Sequence, residues 1–212
     1  VYELWAPGGL ASPGVENVTE TGDATVLLEE LAAAQTTGRV YDRVQGNGRI
    51  DNTVVDGQPE DALIGSDTLP PLRVSNEQPF VSTISMITPS PDWYSGFSAL
   101  DLRSEGKWIQ SLTITTAPFD AGTDDGTTYE APDADRVNHE EMYPLLPKNL
   151  PLSNPEIFLK DGEVAPVATW TCELLSTGSV VTNQQVSDVS TDEDVSYECV
   201  FVNTWSATNH PH

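Results

Sequence analysis

The chain has 212 residues, and its 9 Lys and Arg against 33 Asp and Glu give a formal net charge of −24. Nucleic-acid phosphates require the opposite sign on the protein, and the same repulsion disfavours polyanionic glycans and anionic lipids unless cations intervene. Hydrophobic residues make up 38% of the chain, which indicates a globular protein and excludes an acidic disordered one.

Two segments carry helix signals. Residues 23–38 predict a helix that begins at an Asp23 cap and ends at Gly38. Its apolar face consists of three leucines, Leu27, Leu28 and Leu31. Residues 138–146 predict a second, shorter helix, which Pro144 limits to about a turn and a half.

Strand patterns dominate the rest of the chain. Apolar and polar residues alternate over four segments, residues 80–87, 108–116, 164–174 and 195–205. Short strands, 16 Pro, 15 Gly and few helices predict an all-β protein. We expect an antiparallel β-sandwich with one or two short helices.

The two cysteines lie on the more apolar sides of the last two predicted strands. This parity is what a bridge between Cys172 and Cys199 requires. Such a disulfide would stabilise the fold by roughly 3–4 kcal/mol in the chain-entropy model. A pair of buried thiols is the alternative. The sequence has no CxxC motif, and its three His show no zinc-ligand spacing.

Three aspartates are candidate metal ligands. Asp120 and Asp124 lie in a loop with two nearby glycines, and Asp92 follows a Pro-Ser-Pro turn at the end of a predicted strand. Loops at one end of a sandwich converge, so the three carboxylates are expected to meet there. Hard oxygen ligands in a flexible loop suit Ca²⁺ best, although no EF-hand pattern is present. Turn-forming residues in solvated loops are the alternative.

Nothing in the sequence supports catalysis beyond those carboxylates. Two acids can serve a glycosidase, but the chain has no nucleophile elbow, phosphate-binding loop, dinucleotide fingerprint or Cys–His pair. We therefore expect a protein that is not an enzyme. No apolar run approaches the roughly 18 residues of a transmembrane helix, so no membrane span is predicted.

Several motifs resemble the spondin-type domain of the F-spondin and mindin family. In chain order they read YELWAPGGLASPGV (2–15), ETG (20–22), PSPDWYSG (89–96), ALDL (99–102), KWIQ (107–110) and PFDAGTDDGTTYEAP (118–132). The resemblance implies an extracellular, C2-like β-sandwich with bound Ca²⁺, whose acidic ligands fall on Asp92, Asp120 and Asp124. It also implies a Cys after the Asp-Leu pair, where this chain has Arg103.

The strand that opens domains of this family is found at the other end of the chain. Its pattern is similar to YECVFVNTWSATNHP (197–211), with Tyr197, Phe201 and Trp205 as the aromatic positions. We therefore divide the chain into a sandwich core lacking its first strand (1–175), a polar linker (176–194) and a first-strand equivalent (195–212). The last segment can close its own sandwich, belong to a tandem array, or complete a neighbouring copy.

The resemblance and this arrangement together lead to a functional expectation. We expect a secreted, Ca²⁺-stabilised structural or adhesive protein that assembles head to tail with copies of itself by strand complementation, with matrix or cell-surface partners. The alternative is a recognition module that binds a glycan, receptor or membrane surface through its Ca²⁺-end loops, with Trp93, Tyr94 and Tyr129 as candidates for exposed contact residues. Core packing is the other role open to these aromatics, and it is favoured for Trp93. Asn17, in an Asn-Val-Thr sequon, is a candidate glycosylation site.

Overall fold

The computed structural model describes residues 3–34, 65–87, 90–129, 131–147, 158–175 and 195–203. The helices there are α1 (Pro13–Thr21) and α2 (Thr25–Ala33). The longer strands are β1 (Gly65–Val74), β2 (Phe80–Met86), β3 (Trp93–Asp101), β6 (Ser111–Thr116), β7 (Pro118–Asp120), β11 (Ala168–Leu175) and β12 (Val195–Asn203). Two-residue strands are β4 (Arg103–Ser104), β5 (Lys107–Trp108), β8 (Tyr143–Pro144), β9 (Leu159–Lys160) and β10 (Glu163–Val164). Neither helix is long and apolar enough to cross a membrane.

Two four-stranded antiparallel sheets form the body of the fold. The first has the strand order β1-β12-β11-β6, and the second has the order β2-β3-β7-β8. Phe97 of β3 meets Trp170 of β11 edge to face, with ring centroids 5.7 Å apart. The predicted all-β sandwich with one or two short helices is confirmed, although one of the two helices is not at a predicted position.

Helix α1 was absent from the expected elements, although its ends carry clear signals. Ser12 caps it by accepting a hydrogen bond from the Val15 N–H at 3.2 Å, Pro13 occupies the first turn, and Gly22 ends it in the left-handed region at φ +75°. Val15 is fully buried and packs in a core cluster with Trp5 and with Tyr94 of β3. The helix is thereby fixed against the second sheet.

Helix α2 is shorter than the predicted segment 23–38 and begins at Thr25. Its N-cap position is Ala24. Asp23, one residue before the cap, accepts a hydrogen bond from the Thr25 N–H through Oδ1 at 2.8 Å. Leu27 is buried as predicted, but Leu28 is exposed. Gly38 lies outside the described residues.

The predicted helix over residues 138–146 is wrong. The segment is extended, and β8 pairs with β7 so that Tyr143 lies opposite Asp120. Its backbone donors are used by neighbouring segments: the N–H of Met142 donates to Gly9 O, and the N–H of Leu145 donates to Pro118 O of β7. Pairing with a strand edge satisfies more backbone groups than one and a half turns of helix interrupted by Pro144.

All four predicted strand segments contain strands, but two of the segments are interrupted. Residues 108–116 divide into β5 and β6, and residues 164–174 divide into β10 and β11. Inward and outward positions alternate along β6 and β11 as predicted.

The cysteines form a disulfide within the chain. Cys172 and Cys199 are directly opposite in the β11–β12 register, with Cα atoms 4.1 Å apart. Both belong to a core cluster with Trp108 and Tyr197, and the Tyr197 hydroxyl donates to Ile109 O at 2.7 Å. The predicted pairing is confirmed, and it fixes the last strand at the centre of the first sheet.

Strand β12 lies between β1 and β11 of its own chain. Val195 pairs with Val74 at one end and Asn203 pairs with Gly65 at the other. Tyr197 is fully buried, whereas Phe201 is described only through its backbone pairing. Trp205 and the linker 176–194 lie outside the described residues.

Arg103 occupies the position at which the resemblance implies a cysteine. Its guanidinium forms a two-point ion pair with Asp101, with Nε–Oδ1 at 2.9 Å and Nη2–Oδ2 at 3.0 Å, and stands over the Phe80 ring at 5.7 Å. An ion pair therefore holds this corner between β3 and β4.

Candidate functional site

The candidate site lies where the turn before β3 meets the loop after β7. Ser90 Oγ accepts from the Trp93 N–H at 3.1 Å, and the Ile87 N–H donates to Trp93 O at 2.8 Å, which closes the turn around Asp92. The Ala121 N–H then donates to Asp92 O at 3.3 Å. Residues 90–93 of the Pro-Ser-Pro-Asp-Trp motif thus present Asp92 to the second loop.

The loop after β7 is held against residues 134–140. The Arg136 N–H donates to Thr123 O at 2.7 Å, and the Glu140 N–H donates to Gly122 O at 2.8 Å. Gly122 has φ +74°, and a Cβ there would lie 2.5 Å from Glu140 O. Only glycine fits this left-handed, closely approached position.

A substitution at Gly122 tests this packing. We expect Gly122→Ala to lower the free energy of unfolding by about 3 kcal/mol, since it combines an unfavourable φ with a backbone clash. Gly106→Ala is the matched control, because Gly106 has φ +73° but no atom lies within 4 Å of the position that its added methyl group would take. Urea unfolding of both variants measures the difference, and equal losses would contradict the packing argument.

The three predicted metal ligands are all buried. Asp92, Asp120 and Asp124 are 0%, 3% and 1% exposed. Buried carboxylates require hydrogen bonds, a counter-ion or a metal ion. Turn-forming aspartates in solvated loops, the alternative interpretation, would be exposed.

Asp92 is the least satisfied of the three. Its Oδ2 accepts from the N–H groups of Thr123 at 2.8 Å and Asp124 at 3.2 Å, whereas its Oδ1 is buried without a hydrogen-bond partner. Burial, followed by the nearby charge of Asp120, raises the pKa of Asp92 to about 7. A cation bound at Asp92 Oδ1 would stabilise the ionised forms of Asp92 and of the neighbouring Asp120.

Both carboxylate oxygens of Asp120 accept hydrogen bonds. Oδ1 accepts from the Gly122 N–H at 2.9 Å, and Oδ2 accepts from Trp93 Nε1 at 3.2 Å and from the Tyr143 hydroxyl at 2.9 Å. Burial nevertheless raises its pKa, against the opposing effects of these donors and of Arg136. Tyr143, on the segment predicted as a helix, is a site residue that sequence patterns did not identify.

Asp124 is directed to a different group of acids. Its Oδ1 accepts from the Gly126 N–H at 2.5 Å and its Oδ2 from the Ala134 N–H at 2.6 Å. One carboxylate oxygen each of Asp124, Asp133 and Asp135 lie within 4.8 Å of one another, and the last two residues are exposed. Asp92 and Asp120 are outside this close group. The structure therefore brings the three predicted ligands into one loop cluster but not into one compact set.

The aromatic residues expected at a recognition surface are buried. Trp93 and Tyr94 are fully buried, and Tyr129 is 8% exposed. Trp93 packs between Tyr129 and Phe158, with centroid distances of 6.4 and 5.5 Å. Core packing is therefore confirmed for Trp93 and holds for the other two as well, whereas exposure of these aromatics for ligand contact is wrong.

The Asn17 sequon lies inside α1. Asn17 Nδ2 donates to Asp23 O at 2.9 Å, and the fully buried Thr19 donates through Oγ1 to Glu16 O at 3.0 Å. A glycan would replace one of the two Nδ2 hydrogens and leave the other to donate to Asp23 O. Glycosylation at Asn17 remains a prediction.

Comparison with known proteins places these motifs in a family. The Spondin_N family model matches residues 1–160. Spondin-1 of Rattus norvegicus and of Homo sapiens are each 30% identical over 220 residues, covering 97% of this chain and 26% of the relative. Spondin-2 of Rattus norvegicus is 31% identical over 131 residues, covering 62% of this chain and 36% of the relative. The chain thus spans about a quarter of the length of the Spondin-1 proteins it matches.

Proposed function

The chain belongs to the Spondin_N family, and on that premise we propose that it is an extracellular, calcium-stabilised structural or adhesive module. The observation that carries the proposal is the pair of buried acids, Asp92 and Asp120, of which Asp92 keeps an orphaned oxygen. The disulfide agrees with an oxidising, extracellular location.

The donor set fits a hard divalent cation. All three candidate ligands are carboxylates, and the close group of Asp124, Asp133 and Asp135 likewise contains no Cys or His. Ca²⁺ accepts six to eight oxygens in irregular geometry, whereas Zn²⁺ and other transition metals favour nitrogen and sulfur. Asp92 would supply its free Oδ1, and Asp120 and Asp124 can each accept a cation on a remaining lone pair.

A cation at this position would join separate parts of the chain. Asp92 belongs to the turn before β3, Asp120 ends β7, and Asp124 lies in the loop that residues 134–140 cover. Its charge would also offset the cost of burying the two acids and the repulsion between them. The loops at this end of the sandwich would then be rigid, which reduces the entropy lost when they contact a partner.

Adhesion can be tested with purified components. Beads coated with the protein are expected to bind a reconstituted extracellular-matrix gel in Ca²⁺ more strongly than beads coated with Asp92→Asn. Asp161→Asn, on an exposed turn, is the matched control. Binding no higher than that of uncoated beads would contradict the adhesive function.

Head-to-tail assembly is a second proposal, and it depends on β12. This strand occupies the centre of the first sheet, so its removal would leave two open edges that only β12 of the same chain or of another copy can fill. The disulfide within one chain favours closure, whereas exchange would place the Cys172–Cys199 bond between chains. Pro70 and Pro71 on the outer strand β1 disfavour simple edge-to-edge pairing.

Electrophoresis and imaging distinguish closure from exchange. Exchange predicts disulfide-linked ladders on non-reducing gels and filaments at high protein concentration. A single monomer band with dispersed particles in Ca²⁺ would contradict assembly by this route.

A further inference from the structure

The last turn of α1 reaches the acidic site. Gly22 ends the helix in the left-handed region, and Val15 and Val18 anchor it in the core cluster that also contains Ala121. Glu20 therefore has a fixed position beside the loop that follows β7. Sequence patterns gave this residue no role.

Glu20 shares an unusual feature with Asp92. Among the residues that the structure describes, only two carboxylate oxygens are buried without a hydrogen-bond partner, and these are Glu20 Oε1 and Asp92 Oδ1. A buried carboxylate oxygen without a donor is unfavourable unless a cation or a proton satisfies it. One cation within reach of both carboxylates would satisfy both oxygens.

Thr123 connects the two acids. This fully buried residue has its Oγ1 at 3.3 Å from Asp92 Oδ2, and its side chain also hydrogen-bonds to Glu20. A hydroxyl has one proton, so it cannot donate fully to both carboxylates. Burial raises the pKa of Glu20, and repulsion from Glu16, Asp135 and Asp92 adds to this effect, against the hydrogen bond from Thr123. The carboxylate thus lies among like charges with too few donors.

We propose that Glu20 is a further acidic ligand of the divalent-cation site, supplying Oε1 from α1. The inference rests on the proposed calcium site and extends it from the two loops to the helix. A cation held in this way would join α1 to the second sheet.

Terbium luminescence provides the test. Trp93 Nε1 lies 3.2 Å from Asp120 Oδ2, so the indole is close enough to sensitise Tb³⁺ bound at the site, and Ca²⁺ competition then gives the Ca²⁺ affinity. We expect Glu20→Gln to weaken Ca²⁺ binding at least about tenfold, a loss that even outer-shell partners of metal sites produce. Glu29→Gln, at an exposed position on α2, should leave the affinity unchanged.

Thermal unfolding in chelator separates a ligand from a structural residue. If Glu20 is a ligand, Glu20→Gln should unfold in EDTA at the same temperature as wild type or higher, because the substitution removes a charge that the nearby acids repel. Unchanged Ca²⁺ affinity, or an equal loss of stability with and without Ca²⁺, would overturn the assignment of Glu20 alone. Absence of Ca²⁺ binding to the wild-type chain would overturn both this inference and the proposed site.

Discussion

Replacing both cysteines with alanine is expected to lower the free energy of unfolding by about 3.5 kcal/mol. The estimate is the loop-closure entropy of a bridge between residues separated by 27 positions. For a domain of this size the corresponding fall in melting temperature is about 10 °C. Urea and thermal unfolding of the oxidised wild type and the double variant measure the effect.

Reduction of the wild-type chain is the control for the cysteine substitutions. Reduced wild type should resemble the double variant, because both lack the same covalent link between β11 and β12. A double variant as stable as oxidised wild type would contradict a stabilising role for the bridge. Wild-type protein that runs as disulfide-linked multimers would show that β12 is exchanged between copies.

The stability of the metal-free protein should fall as pH rises from about 4 to about 7. The pKa of Asp92 is about 7 in the folded chain against an ordinary value of 3.8, so the folded state binds the proton more tightly across this range. Stability decreases with pH wherever the folded state holds more protons than the unfolded state. The raised pKa of Asp120 acts in the same direction. We expect a decrease of roughly 4 kcal/mol, since the pKa of Asp92 rises from 3.8 to about 7 and each pKa unit corresponds to about 1.4 kcal/mol.

Asp92→Asn tests the source of this pH dependence. In EDTA the variant should have a flatter stability profile and should exceed wild type at pH 8, because the buried charge cannot form. Asp161→Asn should retain the wild-type profile. Chemical unfolding in EDTA across this pH range gives both curves, and an Asp92→Asn profile as steep as that of wild type would refute the assignment.

The fold was predictable where periodicity and tertiary environment agree. Alternation along residues 164–174 and 195–205 identified the two central strands and the parity of Cys172 and Cys199. The failure over residues 138–146 has a tertiary cause, since the edge of β7 competes for the backbone of that segment. The local sequence of residues 138–146 contains no signal for this competing strand edge.

Helix α1 was missed for a different reason. Its Ser-Pro start and terminal Gly22 are recognisable signals, but its apolar positions Val15 and Val18 are few. Its capping residues predict the helix better than its apolar periodicity does.

The site was partly predictable from its loops. Acids in glycine-containing loops at one end of a sandwich indicated Asp92, Asp120 and Asp124, and all three proved to be buried. Glu20 and Tyr143 reach the same region from distant segments, so only three-dimensional packing reveals them. The direction of Asp124 toward Asp133 and Asp135 likewise depends on an isolated bridge between Asp124 and Asp135.

Calcium-dependent thermal unfolding of the wild-type chain tests the central claim most directly. The folded state alone presents the buried acids together, so Ca²⁺ at about one hundred times its dissociation constant should stabilise the protein by about 2.7 kcal/mol relative to EDTA. We predict a melting temperature that rises steadily with Ca²⁺ concentration. A transition that is the same in EDTA and in millimolar Ca²⁺ would contradict a structural calcium ion.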